Sequence, residues 1–296
     1  MSVAGVYPVN SKGEILVEVG KGDNIVTGFL PSNMIPMSEN GKMLIRLPDI
    51  FDYNKLSSAY KFYLPWVRDG SGNVQDKSYN GDAVKGGTGS VAQVKGYFTT
   101  LASGTYGSGH LFQVAAATSH VELATHTLVF HATVNKSAPA SVNEYICGTQ
   151  SSSSTPGLLL MASPAGALSV YYRYGNVQCF FPAVAGVFDG TDRGITVVID
   201  RDTSAGADPA KTYRTGYLYV DGVLQSTLQI DCSGAVGVQQ KFTFGGSQIA
   251  NVGVACKFAN VHLLGIPLSV TDLPVQRIVD EFYLRSAAIT ASLVGV

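Results

Sequence analysis

The chain has 296 residues, 46% of them hydrophobic and only 14% charged, with 33 glycines, 15 tyrosines and 13 phenylalanines. That is enough apolar material for a large core, and the glycine and aromatic content suits short strands joined by tight turns over long surface helices. Twenty Lys+Arg against 21 Asp+Glu give a net charge of −1 with no basic run, which excludes a phosphate-backbone footprint and so nucleic acid as a partner.

The first segment, "MSVAGVYPVNSKGEILVEVG", has no basic region followed by an unbroken apolar stretch, because Lys12 and Glu14 interrupt it. No signal peptide is expected, and no apolar run reaches the length of a membrane span. "GEILVEVGKGDNIVTGFL" has the pattern of a hairpin, and "PSNMIPMSENGKMLIRLPD" that of a linker containing proline and methionine. Residues 1–57 are therefore expected to form a β-rich arm or attachment segment; a first strand pair of the main domain is the competing reading.

From about residue 58 strand signals recur. "THTLVFHATV", "GLLLMA", "LSVYYRY", "VQCFF", "GITVVID", "GYLYV", "VLQSTLQI", "KFTFGG" and "FANVHLLG" are separated by clusters of Gly, Asn, Asp, Ser and Pro. This spacing predicts an all-β fold of antiparallel sheets packed face to face, with no βαβ alternation. One helix is expected near the C-terminus, in "SVTDLPVQRIVDEFYLRSA". Ser269 and Asp272 suit its cap, and Val275, Ile278, Val279, Phe282 and Tyr283 mark one face. Residues 286–296 follow as a tail.

Two hairpins can be read in register. In "LSVYYRYGNVQCFFP", a two-residue turn at Gly175-Asn176 pairs Tyr174 with Val177, Tyr172 with Cys179 and Val170 with Phe181 on an apolar inner face. The reverse face then presents Tyr171 beside Phe180 and Arg173 beside Gln178. An aromatic shelf edged by planar hydrogen-bonding groups suits a sugar ring; the alternative is a face covered by the N-terminal arm or by another subunit. In "GYLYVDGVLQST", Asp221-Gly222 supplies the positive φ angles of a type I′ turn. That turn sets Val220 opposite Val223, Tyr219 opposite Leu224 and Leu218 opposite Gln225.

Catalytic and metal chemistry is sparse. The six glutamates are at 14, 18, 39, 122, 144 and 281, and only Glu14 and Glu18 share a strand at even spacing, where a solvated face explains them better than an acid–base pair. Asp200 and Asp202 in "VIDRDTSAGAD" read first as a solvated loop start. As ligands they would join Asp189, Asp192 or Asp208 around calcium, the one cofactor considered. His126 and His131 are an odd number apart and fall on opposite strand faces, so each is read as structural. Cys147, Cys179, Cys232 and Cys256 have no metal-ligand spacing; reduced thiols are expected, with a Cys232–Cys256 bridge as the alternative. Trp66 reads as a core or inter-strand residue. The glycine-rich "GGTGS" lacks the Lys-Ser/Thr of a phosphate loop and reads as a surface loop.

The order of strand "GITVVIDRD", hairpin "YVDG", strand end "GG" and helix start "LS" resembles laminin G-like domains of the concanavalin A-like lectin/glucanase superfamily. Tyr219-Val220-Asp221-Gly222, Gly245-Gly246 and Leu268-Ser269 carry the resemblance, with Asp272 at an acidic position and Asp76, Ser78 and Gly81 matching an Asp-x-Ser-x-x-Gly loop. It spans roughly 60 to 285 and implies a two-sheet antiparallel jelly-roll sandwich over 58–285. By the same analogy the chain is expected to be a non-enzymatic virion component of a phage tail or capsid exterior, assembled in the host cytoplasm as a homo-oligomer. It would bind a glycan or a neighbouring virion protein through Tyr171, Arg173, Gln178 and Phe180. A polysaccharide-cleaving enzyme and a purely structural cementing protein are the alternatives.

Overall fold

The computed structural model describes residues 16–18, 27–28, 44–46, 60–64, 71–76, 78, 83–86, 97–100, 111–114, 126–149, 157–174, 177–204, 208–233, 241–246 and 254–267. The chain divides into two units, Met1–Leu56 and Ser57–Val296. In the first, β1 (Leu16–Glu18) pairs antiparallel with β2 (Thr27–Gly28) and with β3 (Leu44–Arg46). The expected hairpin is present, and the segment read as a linker contributes a third strand.

The second unit holds β4 (Tyr60–Leu64), β5 (Ala83–Gly86), β6 (Phe98–Thr100), β7 (Leu111–Val114), β8 (His126–Ser137), β9 (Glu144–Gly148) and β10 (Gly157–Ala162). It continues with β11 (Leu168–Tyr174), β12 (Val177–Phe180), β13 (Asp189–Ser204), β14 (Tyr213–Val220), β15 (Val223–Asp231), β16 (Phe242–Phe244) and β17 (Cys256–Pro267). One sheet runs β12-β11-β10-β9-β16-β7-β5. The other runs β15-β14-β13-β8-β17-β4, with β6 also on β17. Every pairing is antiparallel. The protein is an all-β sandwich, and among the described residues there is no helix. The helix expected from Ser269 onward lies outside the described residues, as do Gly81, Trp66 and the Gly175-Asn176 turn.

Alternation builds the core. On β8, Leu128, Phe130, Ala132 and Val134 point inward, as do Ile195, Val197 and Ile199 on β13 and Leu158, Leu160 and Ala162 on β10. Phenylalanines lock the two sheets together. Phe62, Phe98, Phe130 and Phe258 come from one sheet and Phe112, Phe242 and Phe244 from the other. Phe62 meets Phe242 at 5.2 Å between ring centroids, Phe130 meets Phe242 at 5.2 Å and Phe98 meets Phe244 at 5.7 Å.

The long strands β8, β13 and β17 are buried on both faces. Val129, His131, Thr196, Val198, His262 and Leu264 point away from the core yet are as inaccessible as the residues that point into it. Burial on two sides explains why these strands read as nearly continuous apolar runs.

The Asp221-Gly222 turn has the predicted geometry, with φ of 52° and 76°. Val220 pairs with Val223 and Tyr219 with Leu224, but Leu218 pairs with Ser226 and not with Gln225. The reason is parity. An uninterrupted ladder would turn Thr227 and Gln229 toward the core and Leu228 and Ile230 toward solvent; one extra residue reverses this. Ile230 is fully buried and Leu228 packs against the core. The correction leaves Ser226 on the inner side with a buried hydroxyl that has no hydrogen-bond partner.

Ser226→Ala should therefore raise stability by about 1 kcal/mol, seen as a higher urea midpoint at unchanged m-value. Gly148 sits at φ 152°, and a Cβ there would lie 2.2 Å from the Leu158 carbonyl oxygen of the neighbouring strand. Gly148→Ala should cost about 3 kcal/mol in the same measurement, because backbone strain and overpacking add.

Candidate functional site

Strict alternation along β11 sets the outer face of the β10–β11–β12 meander. On β11, Leu168, Val170, Tyr172 and Tyr174 are buried, while Ser169, Tyr171 and Arg173 are half-buried on the other side. β12 pairs Tyr171 with Phe180, Tyr172 with Cys179, Arg173 with Gln178 and Tyr174 with Val177. The Phe181 N–H donates to the Val170 carbonyl at 3.0 Å, continuing the predicted register. On the other side of β11, Tyr171 neighbours Leu159 and Arg173 neighbours Gly157.

Tyr171 and Phe180 meet edge to face, with centroids 4.8 Å apart and rings at 89°. Phe180 is 55% exposed, the most open aromatic side chain among the described residues. An apolar row therefore runs Phe180–Tyr171–Leu159 across three strands, and a polar row runs Gln178–Arg173 beside it. The sequence places these four side chains on one face, and the structure brings them together there.

The aspartates behave differently from a calcium site. Asp189 and Asp192 pair with Ser137 and Asn135 near one end of β8, whereas Ile199, next to Asp200, pairs with Leu128 near the other. Eight residues of strand separate Asp192 from Asp200, about 26 Å at strand rise, so no single ion can bind both. Asp200 accepts from the Thr127 hydroxyl at 3.2 Å, and the Asp208 carboxylate accepts the Ala210 N–H at 3.0 Å. The side chain of Asp202 lies outside the described residues. Among the described residues no group of three or more His, Cys, Asp or Glu could hold a metal.

Sequence reasoning missed an ionic network at the sandwich rim. Arg193 donates to Asp189 at 2.6 Å and to Asp221 at 3.0 Å, and the Gly194 N–H donates to Asp221 at 2.8 Å. The Asp189 carboxyl is held well below the usual carboxylate range, first by the Thr191 hydroxyl and N–H and then by Arg193. The i, i+4 spacing of Asp189 and Arg193 was visible, but on a strand it means nothing until the β13 irregularity between Asp189 and Asp192 folds them together. This network fastens the type I′ turn to β13. Nearby, Asp192 accepts from the Tyr97 hydroxyl and from Asn135, and burial pushes the Tyr97 phenol up.

Several other titratable groups among the described residues are buried or paired within the fold. The four cysteines are thiols that form no disulfide with one another; burial pushes the Cys256 thiol up to about 12 and raises Cys147 and Cys179. His131 is buried, with Nδ1 2.8 Å from the Thr196 hydroxyl. His262 stacks on Tyr63 at 4.3 Å and its Nε2 lies 2.7 Å from the Asn260 side-chain oxygen. Glu144 pairs with the buried Lys136 at 2.5 Å. Asp76 is buried and accepts the Tyr63 and Ser78 N–H groups, each at 2.8 Å, tying the loop after β4 back to that strand.

Burial holds the His131 imidazole down at about 3, from its ordinary 6.5. Between those values the unfolded chain takes up a proton that the folded chain refuses, so stability falls as pH drops through the window, by at most about 1.4 kcal/mol per unit. From pH 6.5 to 4.5, above the ordinary range of aspartate, the urea midpoint should decline in the wild type and decline less steeply in His131→Gln.

No protein-family model and no curated protein matches the chain. Solved structures do. The receptor binding domain of the botulinum neurotoxin C/D mosaic serotype superposes with a TM-score of 0.52 at 12% identity, covering 76% of this chain and 52% of that one. The structure described as HCR/D-Sa-GBL1/C gives 0.51 at 12% identity, covering 76% and 52%. A structure of botulinum neurotoxin type C, a toxin described as dependent upon interaction with two ganglioside molecules for entering cells, gives 0.50 at 10% identity, covering 78% and 53%. The chain spans about half the length of these structures, and at such identities the likeness is one of fold.

Proposed function

We propose that the second unit is a lectin-like, non-enzymatic binding module of laminin G-like, concanavalin A-like type, and that it recognises a glycan on the outer face of β11 and β12. The observation that carries this reading is the Tyr171–Phe180 shelf, open to solvent at Phe180 and flanked by Arg173 and Gln178. The C–H face of a sugar ring stacks on the aromatic row while its hydroxyls meet the guanidinium and the amide. Both rows stand on paired strands whose inner faces are locked in the core, so the shelf is formed before the ligand arrives. The sandwich fold is compatible with such work, since it is shared with toxin receptor-binding domains, one of them from a toxin dependent on gangliosides.

Three further readings attach to this proposal. The first is a non-catalytic role. Asp76, Glu144, Asp189, Asp192, Asp200, Asp208, Asp221 and Asp231 are each committed to an arginine, lysine, amide, hydroxyl or backbone partner, so none of these eight is left over as an open acid–base pair. The second is a place on the exterior of a virion, in a phage tail or capsid, where turns rich in glycine and serine and a weakly charged surface suit a packed assembly. The third is that a neighbouring virion protein takes the place of the glycan on the same shelf.

A glycan array separates these readings. Wild-type protein should bind a defined set of glycans, and Tyr171→Ala and Phe180→Ala should each weaken binding by about tenfold or more, with Arg173→Ala changing which glycans bind. Binding unchanged in both aromatic variants would remove the shelf from the function. Glycan chain shortening during the assay would replace the binding reading with an enzymatic one.

A further inference from the structure

Among the described residues the two sheets end on β12 and β5, on β15, and on β4 and β6 side by side along β17, and every one of these edges but β15 is guarded or short. β4 carries Lys61, β5 and β12 are four residues long and β6 is three. β15 is nine residues long, and Val223 through Ile230 contains neither a charged residue nor a proline. Lysine, proline and short length are the usual means of blocking edge-to-edge pairing, and this strand has none of them. Its one irregularity is the bulge at Gln225 beside the turn, which leaves Ser226–Ile230 as a regular ladder on β14. The strand is open to solvent: Val223, Leu224, Gln225, Thr227 and Gln229 are exposed, the first two at 61% and 46%.

We propose that β15 pairs antiparallel with β15 of a second copy of this chain, about a two-fold axis at Leu228. An antiparallel strand is self-complementary by symmetry, so one surface serves both partners. The register follows from keeping side chains on matching faces within the regular segment. Leu228 meets its own symmetry mate and Ser226 meets Ile230 on the inner side, while Thr227 meets Gln229 on the outer side. Charge selects a second copy as the occupant. The one charged residue of β15, Asp231, is already paired with Lys211 at 2.8 Å and would lie opposite the uncharged Gln225. The two Asp231 side chains would stand six residues of strand apart, about 20 Å, well beyond the screening length of physiological salt. No like charges face each other along the ladder. The two second sheets would then become one continuous sheet, and each dimer would carry two shelves; only that last consequence rests on the glycan reading.

Sedimentation equilibrium on the full chain tests the inference with two variants at the same exposed positions. In Thr227→Lys/Gln229→Lys, ammonium groups face each other twice across the axis. In Thr227→Lys/Gln229→Glu, each ammonium faces a carboxylate. The wild type should sediment at twice its 31.2 kDa mass at tens of micromolar, the Lys/Lys variant should dissociate with a dissociation constant raised about tenfold or more, and the Lys/Glu variant should stay dimeric. Far-ultraviolet circular dichroism checks that both variants keep the fold. A monomeric wild type, including one whose edge another segment occupies, overturns the inference; so do two variants that behave alike. The array result on Tyr171 is independent of every one of these outcomes.

Discussion

The structure depends on the closure of two antiparallel sheets over a shared layer of phenylalanine rings. Phe62, Phe98, Phe130 and Phe258 reach in from one side and Phe112, Phe242 and Phe244 from the other, in edge-on and stacked contacts between 5.0 and 5.9 Å. A non-directional hydrophobic gain alone would allow the sheets to slide; interlocked rings with preferred angles do not. Each strand is then committed to one choice of inward face, and every outer face is decided with it.

That commitment explains where function can reside. β8, β13 and β17 are buried on both sides, so their polar residues serve the fold: His131 with Thr196, His262 with Tyr63 and Asn260, Thr127 with Asp200. The rim aspartates hold Arg193 and the turn. Among the described residues, the flank where β12 and β15 end the two sheets is open, with Phe180 on one strand and Val223 and Leu224 on the other. The shelf lies on the outer face of one sheet there, and the unguarded edge belongs to the other. The proposed binding and the proposed self-association thus use different parts of one flank.

Legibility follows local chemistry. The β11–β12 register could be read because a two-residue loop leaves one pairing and β11 alternates cleanly from Leu168 to Tyr174. The β14–β15 register was legible only for two pairs. Past them the hydrophobic pattern of Leu228 and Ile230 contradicts the register set by the turn, and the bulge at Gln225 is how the chain satisfies both. That contradiction stands in the sequence, but it shows only when the parity of both strands is followed to their ends. β4 through β7 and β9, three to five residues each, were missed because strands so short display no period; β12 and β16 are as short and were read from the turn and the Gly-Gly beside them.

Composition, turn chemistry and alternation were sufficient by themselves to determine an antiparallel β sandwich and the company of Tyr171, Arg173, Gln178 and Phe180 on one face, since both follow from contacts between residues close along the chain. The tertiary structure alone decided which aspartates meet. Asp189, Asp192 and Asp200 share a strand and a charge, yet their partners Arg193, Asn135 and Thr127 are set by how β8 and β13 lie side by side over their whole length. It alone decided, too, that His131 and His262 are buried and that β15 is an edge. Those facts depend on strands distant in sequence, whose order in the sheet no local period encodes.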